Sequence, residues 1–162
     1  MILIALGANL PSRAGSPADT IHASRVELAN AGIRVHALSP LYETQAWPDP
    51  ADPSFVNAVA RVETKLAPAA LLEALQNVET LFGRTRGVRN APRSLDLDII
   101  DLDGRVESGP PQLPHPRLAS RGFVLIPLRD VAPHWRHPVS GLTIDALIAA
   151  LPDEARAVTP IA

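Results

Sequence analysis

Between residues 2 and 101 the hydrophobic spacing runs strand, helix, strand, strand, helix, strand, and that order leaves few folds open. Residues 2–6 form a short apolar run ending at Gly7, which predicts a buried strand, and Ala8-Asn9-Leu10-Pro11 turns the chain. Ser16 and Pro17 suit the N-cap and first position of a helix, with Ile21, Arg25 and Leu28 on one face and Gly32 as its stop. Residues 33–42 read as a second strand. Residues 43–54, crowded with prolines and aspartates, read as a loop without regular structure, and a loop that long is usually functional or mobile. In the third strand, residues 55–64, Val56, Ala58, Ala60 and Val62 share one face, and Phe55 and Asn57 share the other. Pro68 opens a second helix with Leu71, Leu75, Val78 and Phe82 on a stripe, Gln76 and Glu79 beside it, and Gly83 as its stop. The order predicts an α+β, ferredoxin-like βαββαβ sandwich. Its sheet is mainly antiparallel, with helices on one face and the other face left for loops and ligands. Additional C-terminal elements follow: residues 123–131, apolar and open between strand and helix, and a closing helix over 143–151 ended by Pro152.

The last strand of that pattern carries chemistry. In Arg93-Ser94-Leu95-Asp96-Leu97-Asp98-Ile99-Ile100-Asp101, period two sends Leu95, Leu97 and Ile99 one way and Asp96 and Asp98 the other. Neighbouring carboxylates repel, raising the pKa of one unless a cation neutralises them. Magnesium is such a cation, because it takes carboxylate oxygens together with substrate phosphates. Arg84, Arg86, Arg89 and Arg93 lie just upstream with no acid between Gly83 and Leu95, so the pair reads as a site for a polyphosphate and its metal ions. A solvated strand face is the plainer alternative. Asp101 and Asp103 read as turn acids. His22, His36, His134 and His137 lack metal-ligand spacing beside an acid.

Composition narrows the classes. The 162 residues suit one domain, 1–162, and a net charge of −2 offers no wide basic face for nucleic acid. No apolar run reaches membrane-spanning length, and residues 1–7 lack a basic start before their apolar run, which points to the cytoplasm. The absence of cysteine gives no disulfide or thiolate-metal signal. Fourteen of the 15 basic residues are arginine, so an isolated arginine carries little functional weight. An RNA-binding sheet would show exposed aromatics and basic residues on its central strands, and aromatics are only 4% of this chain. A regulatory module binding a small effector would not need two aspartates under four arginines.

Four ordered motifs carry a resemblance. Leu6-Gly7-Ala8-Asn9-Leu10, Tyr42-Glu43-Thr44 with Phe55-Val56-Asn57-Ala58, Ala91-Pro92-Arg93-Ser94-Leu95-Asp96-Leu97-Asp98-Ile99, and the run from Leu113 to Phe123 resemble the 6-hydroxymethyl-7,8-dihydropterin pyrophosphokinase family. The likeness extends to about Pro133. It implies transfer of the terminal pyrophosphate of ATP to 6-hydroxymethyl-7,8-dihydropterin, leaving AMP, by a monomeric enzyme of tetrahydrofolate synthesis. By the same resemblance, Asp96 and Asp98 hold two magnesium ions, and Arg84 and Arg93 act with them in catalysis. Gln76, Glu79, Ile99, His115 and Arg121 join Arg84 and Arg93 at ATP, with Arg86 and Arg89 in a mobile loop that closes over it. Thr44, Gln45, Trp47, Phe55, Asn57 and Phe123 line the pterin pocket together with the two aspartates. Residues 43–54 and 83–92 are then expected to order when ATP and magnesium bind. Three departures bear on that closure: Asn90 replaces a tryptophan in a loop one residue short, Gln45 a proline, and Pro116 a tyrosine.

Overall fold

A computed structural model describes residues 1–85 and 91–161 of the chain. In order the elements are β1 (Ile2–Ala8), α1 (Pro17–Asn30), β2 (Arg34–Leu38), β3 (Tyr42–Thr44), β4 (Phe55–Glu63), α2 (Pro68–Leu81) and β5 (Asp96–Leu102). Then come α3 (Gly122–Val131), α4 (Ile144–Ala149) and the two-residue β6 (Thr159–Pro160), with 3-10 turns at Leu118–Ser120 and Asp153–Arg156. The sheet runs β5-β1-β4-β3-β6, with β2 also on β4, and every pairing is antiparallel. Its β5-β1-β4-β2 part, with α1 and α2, is the α+β sandwich that the sequence order predicts.

Strand alternation builds two cores. Ile4 and Leu6 of β1, Ala58 and Ala60 of β4, and Leu97 and Ile99 of β5 pack against Ile21 and Leu28 of α1 and Leu71, Leu75 and Val78 of α2. Both helix starts follow their cap chemistry. Ser16 Oγ accepts from the Asp19 N–H at 3.2 Å while Asp19 Oδ2 accepts from the Ser16 N–H at 2.9 Å; α2 relies on Pro68 at its first turn. The residues buried on α1 are Thr20, Ile21, Ser24 and Leu28. Its inner stripe therefore leans toward Ser24 and leaves Arg25, expected on that face, in solvent.

The second core fills half of the face that the sequence left for loops and ligands. Leu3, Val59 and Ile100 meet Val124, Leu125 and Leu128 of α3 and Ile144 and Leu147 of α4, with Trp135 between them. The segment 123–131 is thus a helix, and the C-terminal additions form a third layer. Three further expectations change. The strand expected over 33–42 is broken after Leu38, where Pro40 has no N–H to give the ladder. Ser39 bridges the gap instead, exchanging bonds with Val59 at 3.0 and 3.1 Å. Glu43 and Thr44, expected in an irregular loop, belong to β3. Asp101 is not an exposed turn acid: it is 3% exposed and accepts from Trp135 Nε1 at 2.7 Å. The cause is a bulge in β5. Leu3 pairs with Asp101 and Ile4 with Ile99, so Ile100 is an extra residue, and it keeps Asp101 on the second-core face.

Candidate active site

The outer face of β5, β1 and β4 changes character along its length. At one end Leu3, Val59 and Ile100 lie under α3 and α4. At the other end the same faces carry Ala5 and Gly7, Asn57 and Phe55, and Asp98 and Asp96. Gly7 pairs with Asn57 on one side and Asp96 on the other, and Ala5 pairs with Asp98. Small residues on β1 therefore leave a trough between β4 and β5. A Cβ at Gly7 would come within 3.4 Å of Asn57 Oδ1. The trough is the floor of a cavity of about 770 Å³.

Charge is arranged across that floor. Arg84 Nη1 donates to Asp96 Oδ1 and to Glu79 Oε1, both at 2.5 Å, and Arg93 Nη1 donates to Asp96 Oδ2 at 2.9 Å. Arg121 Nη1 donates to Asp98 Oδ2 at 3.2 Å, and His115 Nε2 is 3.7 Å from the same oxygen. His115 Nδ1 accepts from the Arg117 N–H at 3.2 Å, which places the ring proton on Nε2, facing Asp98. Burial pushes the His115 imidazole below the usual histidine range, against the pull of Asp98, so the ring is neutral near pH 7. Glu79 is buried beneath Arg84, and its Oε1 also accepts from the Leu97 N–H at 2.7 Å. Burial pushes its carboxyl up to about 7, although the Leu97 N–H and Arg84 both oppose the shift.

That shift has a sign. A carboxyl whose pKa is raised by folding binds its proton more tightly folded than unfolded. Its contribution to stability is therefore fully present below the unfolded value, near 4.5, and is lost as pH rises through about 7. Glu79→Gln removes this dependence. Its unfolding free energy relative to the unmodified protein should rise by roughly 2 kcal/mol between about pH 5.5 and pH 7.5. Urea unfolding at the two pH values measures it, and a pH-independent difference would contradict the raised pKa.

The cavity gathers Thr44, Gln45, Trp47, Phe55 and Asn57 on one side and Arg84, Arg93, Asp96, Asp98 and Arg121 on the other, with Phe123 at its rim. Asn57 Nδ2 donates to Thr44 Oγ1 at 2.9 Å, which fixes the amide. Trp47 is 72% exposed. The Arg121 guanidinium lies over the Phe123 ring, 5.5 Å from its centroid. Other expected residues stand back from the cavity. Glu79 and His115 reach it through Arg84 and Asp98, Ile99 turns its side chain into the first core, and Gln76 is half-buried on α2. Arg86, Arg89 and Asn90 of the expected closing loop lie outside the described residues.

Sequence reasoning gave Asn9 no role, yet it pins two loops. Its Oδ1 accepts from the Arg93 N–H at 2.8 Å, its own N–H donates to the Arg93 carbonyl at 3.0 Å, and its Nδ2 donates to the Pro53 carbonyl at 3.0 Å. Asn9 lies two residues after Gly7, just past the end of β1, and an asparagine in that place was the available signal. Arg117 and Ser120 also line the cavity, as does the C-terminal segment from Pro152 to Val158. That last segment has no periodicity that would have marked it.

Two carboxylates under arginines, beside a slot walled by amide and aromatic side chains, are the groups that phosphoryl-type transfer to a flat acceptor calls for. Residues 3–133 match the family described as 7,8-dihydro-6-hydroxymethylpterin-pyrophosphokinase (HPPK). The 2-amino-4-hydroxy-6-hydroxymethyldihydropteridine pyrophosphokinase of Synechocystis sp. is 37% identical over 162 residues, covering 99% of this chain and 80% of that relative. The enzyme of the same name from Pseudomonas aeruginosa is 41% identical over 156 residues, covering 94% of this chain and 93% of that relative. Wild-type HPPK-DHPS of Plasmodium falciparum has the same fold, with a TM-score of 0.66 at 14% identity over 91% of this chain; the match spans 44% of that longer protein. The chain belongs to the 7,8-dihydro-6-hydroxymethylpterin-pyrophosphokinase family, whose reaction moves pyrophosphate from ATP to the hydroxymethyl group of the pterin in folate biosynthesis.

Proposed function

We propose that this chain carries out that transfer with two magnesium ions held at Asp96 and Asp98, acting as a monomer and as one domain in the cytoplasm. Among the described residues no helix is long and apolar enough to cross a membrane. The observation that carries the reading is the alternation of Asp96 and Asp98 into one cavity beside Arg84, Arg93 and Arg121.

The donor set fits magnesium. The metal takes one or two carboxylates, with water and substrate phosphate completing its shell. Asp96 and Asp98 supply such oxygens side by side, and Asp98 Oδ1 has no hydrogen-bond partner among the described residues. When bound, the ions neutralise phosphate oxygens and orient the attacking and leaving oxygens. The protein's own groups do the rest. Without substrate the three arginines rest on the aspartates; with ATP present they have phosphate oxygens to hold in bidentate fashion. Thr44 and Asn57 offer hydrogen bonds to the pterin edge, and Phe55 and Phe123 offer ring faces. Held in line, the hydroxymethyl oxygen attacks the β-phosphorus of ATP. The bond from that phosphorus to the α–β bridging oxygen breaks, the hydroxyl proton is released, and AMP leaves.

Incubation with ATP, magnesium and 6-hydroxymethyl-7,8-dihydropterin is the test. AMP and the pterin diphosphate should appear in equal amounts, and AMP should not form when the pterin is left out. Formation of ADP instead would refute pyrophosphoryl transfer.

A further inference from the structure

Leu151 is the last buried hydrophobic residue among those described. Beyond it only the half-buried Ala155 packs against the second core. The segment nevertheless runs along the cavity, which Pro152, Glu154, Ala155, Ala157 and Val158 help to line. One end is seated on Gly122, where a Cβ would lie 1.7 Å from the Ala155 carbonyl oxygen. No non-bonded pair of heavy atoms tolerates that distance, so α3 must begin with glycine for the segment to lie where it does. Gly122 stands between Arg121 and Phe123, both at the cavity.

The other end is fastened to β3. Pro160 pairs with Tyr42 and Thr159 with Glu43, and the Ile161 N–H donates to the Leu41 carbonyl at 2.8 Å. Thr44, the next residue of β3, is the one that holds the Asn57 amide. A segment that adds almost nothing to either core thus ties together the Phe123 wall and the Thr44–Asn57 wall. It makes no side-chain hydrogen bond to Arg84, Arg93 or Arg121 among the described residues; its own Arg156 turns back to Asp153 and the Ala149 carbonyl.

We propose that residues 152–160 form a strap that sets the spacing of the two pterin-facing walls, a positioning element for the heterocycle and not for the nucleotide. This rests on the pyrophosphokinase reading above. A flat ligand binds well between walls already held at its thickness, because less chain has to be ordered on binding. Loosening either end of the strap therefore acts on pterin affinity and spares the phosphate grip.

Two variants test it: Gly122→Ala, which pushes the strap off α3, and deletion of residues 159–162, which removes β6. Calorimetry with a non-hydrolysable ATP analogue and magnesium, and then with the pterin added to that complex, reads the split. Pterin binding should weaken by about tenfold in both variants while the analogue stays within about twofold. The matching kinetic sign is a raised KM for pterin with KM for ATP unchanged. Equal weakening of both ligands, or no change for the pterin, overturns the strap. If Gly122→Ala does not fold, the deletion decides alone, because Thr159, Pro160 and Ile161 are all exposed. Absence of pterin binding in the unmodified protein would overturn the activity itself, and the strap with it.

Discussion

Alanine at Asp96 or at Asp98 should lower turnover by about a thousandfold or more and leave the fold in place. Both carboxylates sit on the outer face of β5, with side chains 28% and 37% exposed, so neither supports a core. Partly exposed ion pairs contribute little, and each substitution should change unfolding free energy by no more than about 1 kcal/mol. The two variants differ in what they orphan. Without Asp96, Arg84 still has Glu79, whereas the Arg93 side chain keeps only the Ala91 carbonyl, at 3.1 Å, among the described residues. Without Asp98, Arg121 loses its carboxylate and His115 the oxygen its Nε2 faces. Asn at either position keeps the shape and removes the charge, so it should fail nearly as badly. AMP release measures the activity and urea unfolding the fold; near-normal turnover in either variant would refute the metal assignment.

The largest expected loss of stability lies elsewhere, at Asp101→Ala, which should cost about 3 kcal/mol. Asp101 Oδ2 accepts from the Trp135 indole at 2.7 Å, and Oδ1 accepts from the Gly104 N–H at 2.9 Å. Trp135 is itself buried in the second core. Alanine leaves the indole N–H without a partner in an apolar setting, and the turn at Asp103-Gly104 loses its tie. Asn can serve only one of the two donors, so Asp101→Asn should fall between alanine and the native residue. Asp101 does not line the cavity, so turnover by the folded fraction should be unchanged. Equilibrium denaturation decides the point. A cost under about 1 kcal/mol would mean that the indole finds water or another acceptor.

What could be read in advance, and what could not, follows from the range of each cause. Leu95, Leu97 and Ile99 against Asp96 and Asp98 is a local pattern of period two, and the strand has both the expected core face and the expected cavity face. The stripe Leu71, Leu75, Val78 and Phe82 was equally local, as was the stop at Gly83. The bulge at Ile100 was not, because it depends on how β5 pairs with β1, and without it Asp101 looks like any acid before a turn. Trp135 and Asp101 are 34 positions apart, and Asn9 and Arg93 are 84 apart. Nothing near either residue announces its partner. The break after Leu38 was half visible in Pro40, whereas the repair by Ser39 needed β4. On α1 the ambiguity was angular: Ser24 and Arg25 flank the same stripe, and only the sheet decides which of them faces inward. The wall formed by residues 152–158 was hidden because a segment held by one glycine contact and a two-residue strand has no periodicity of its own.

The division of the sheet's outer face into a dry half and a wet half also bears on how the chain finds its register. If β5 slid by one residue along β1, Asp96 and Asp98 would turn toward Leu71, Leu75 and Ile21, and Leu97 and Ile99 would turn out into the trough. Two unpaired carboxylates driven into hydrocarbon would cost several kcal/mol each. The residues proposed to grip the metal therefore also penalise misalignment. A chain that has closed its first core correctly has, by the same step, set both acids in the cavity.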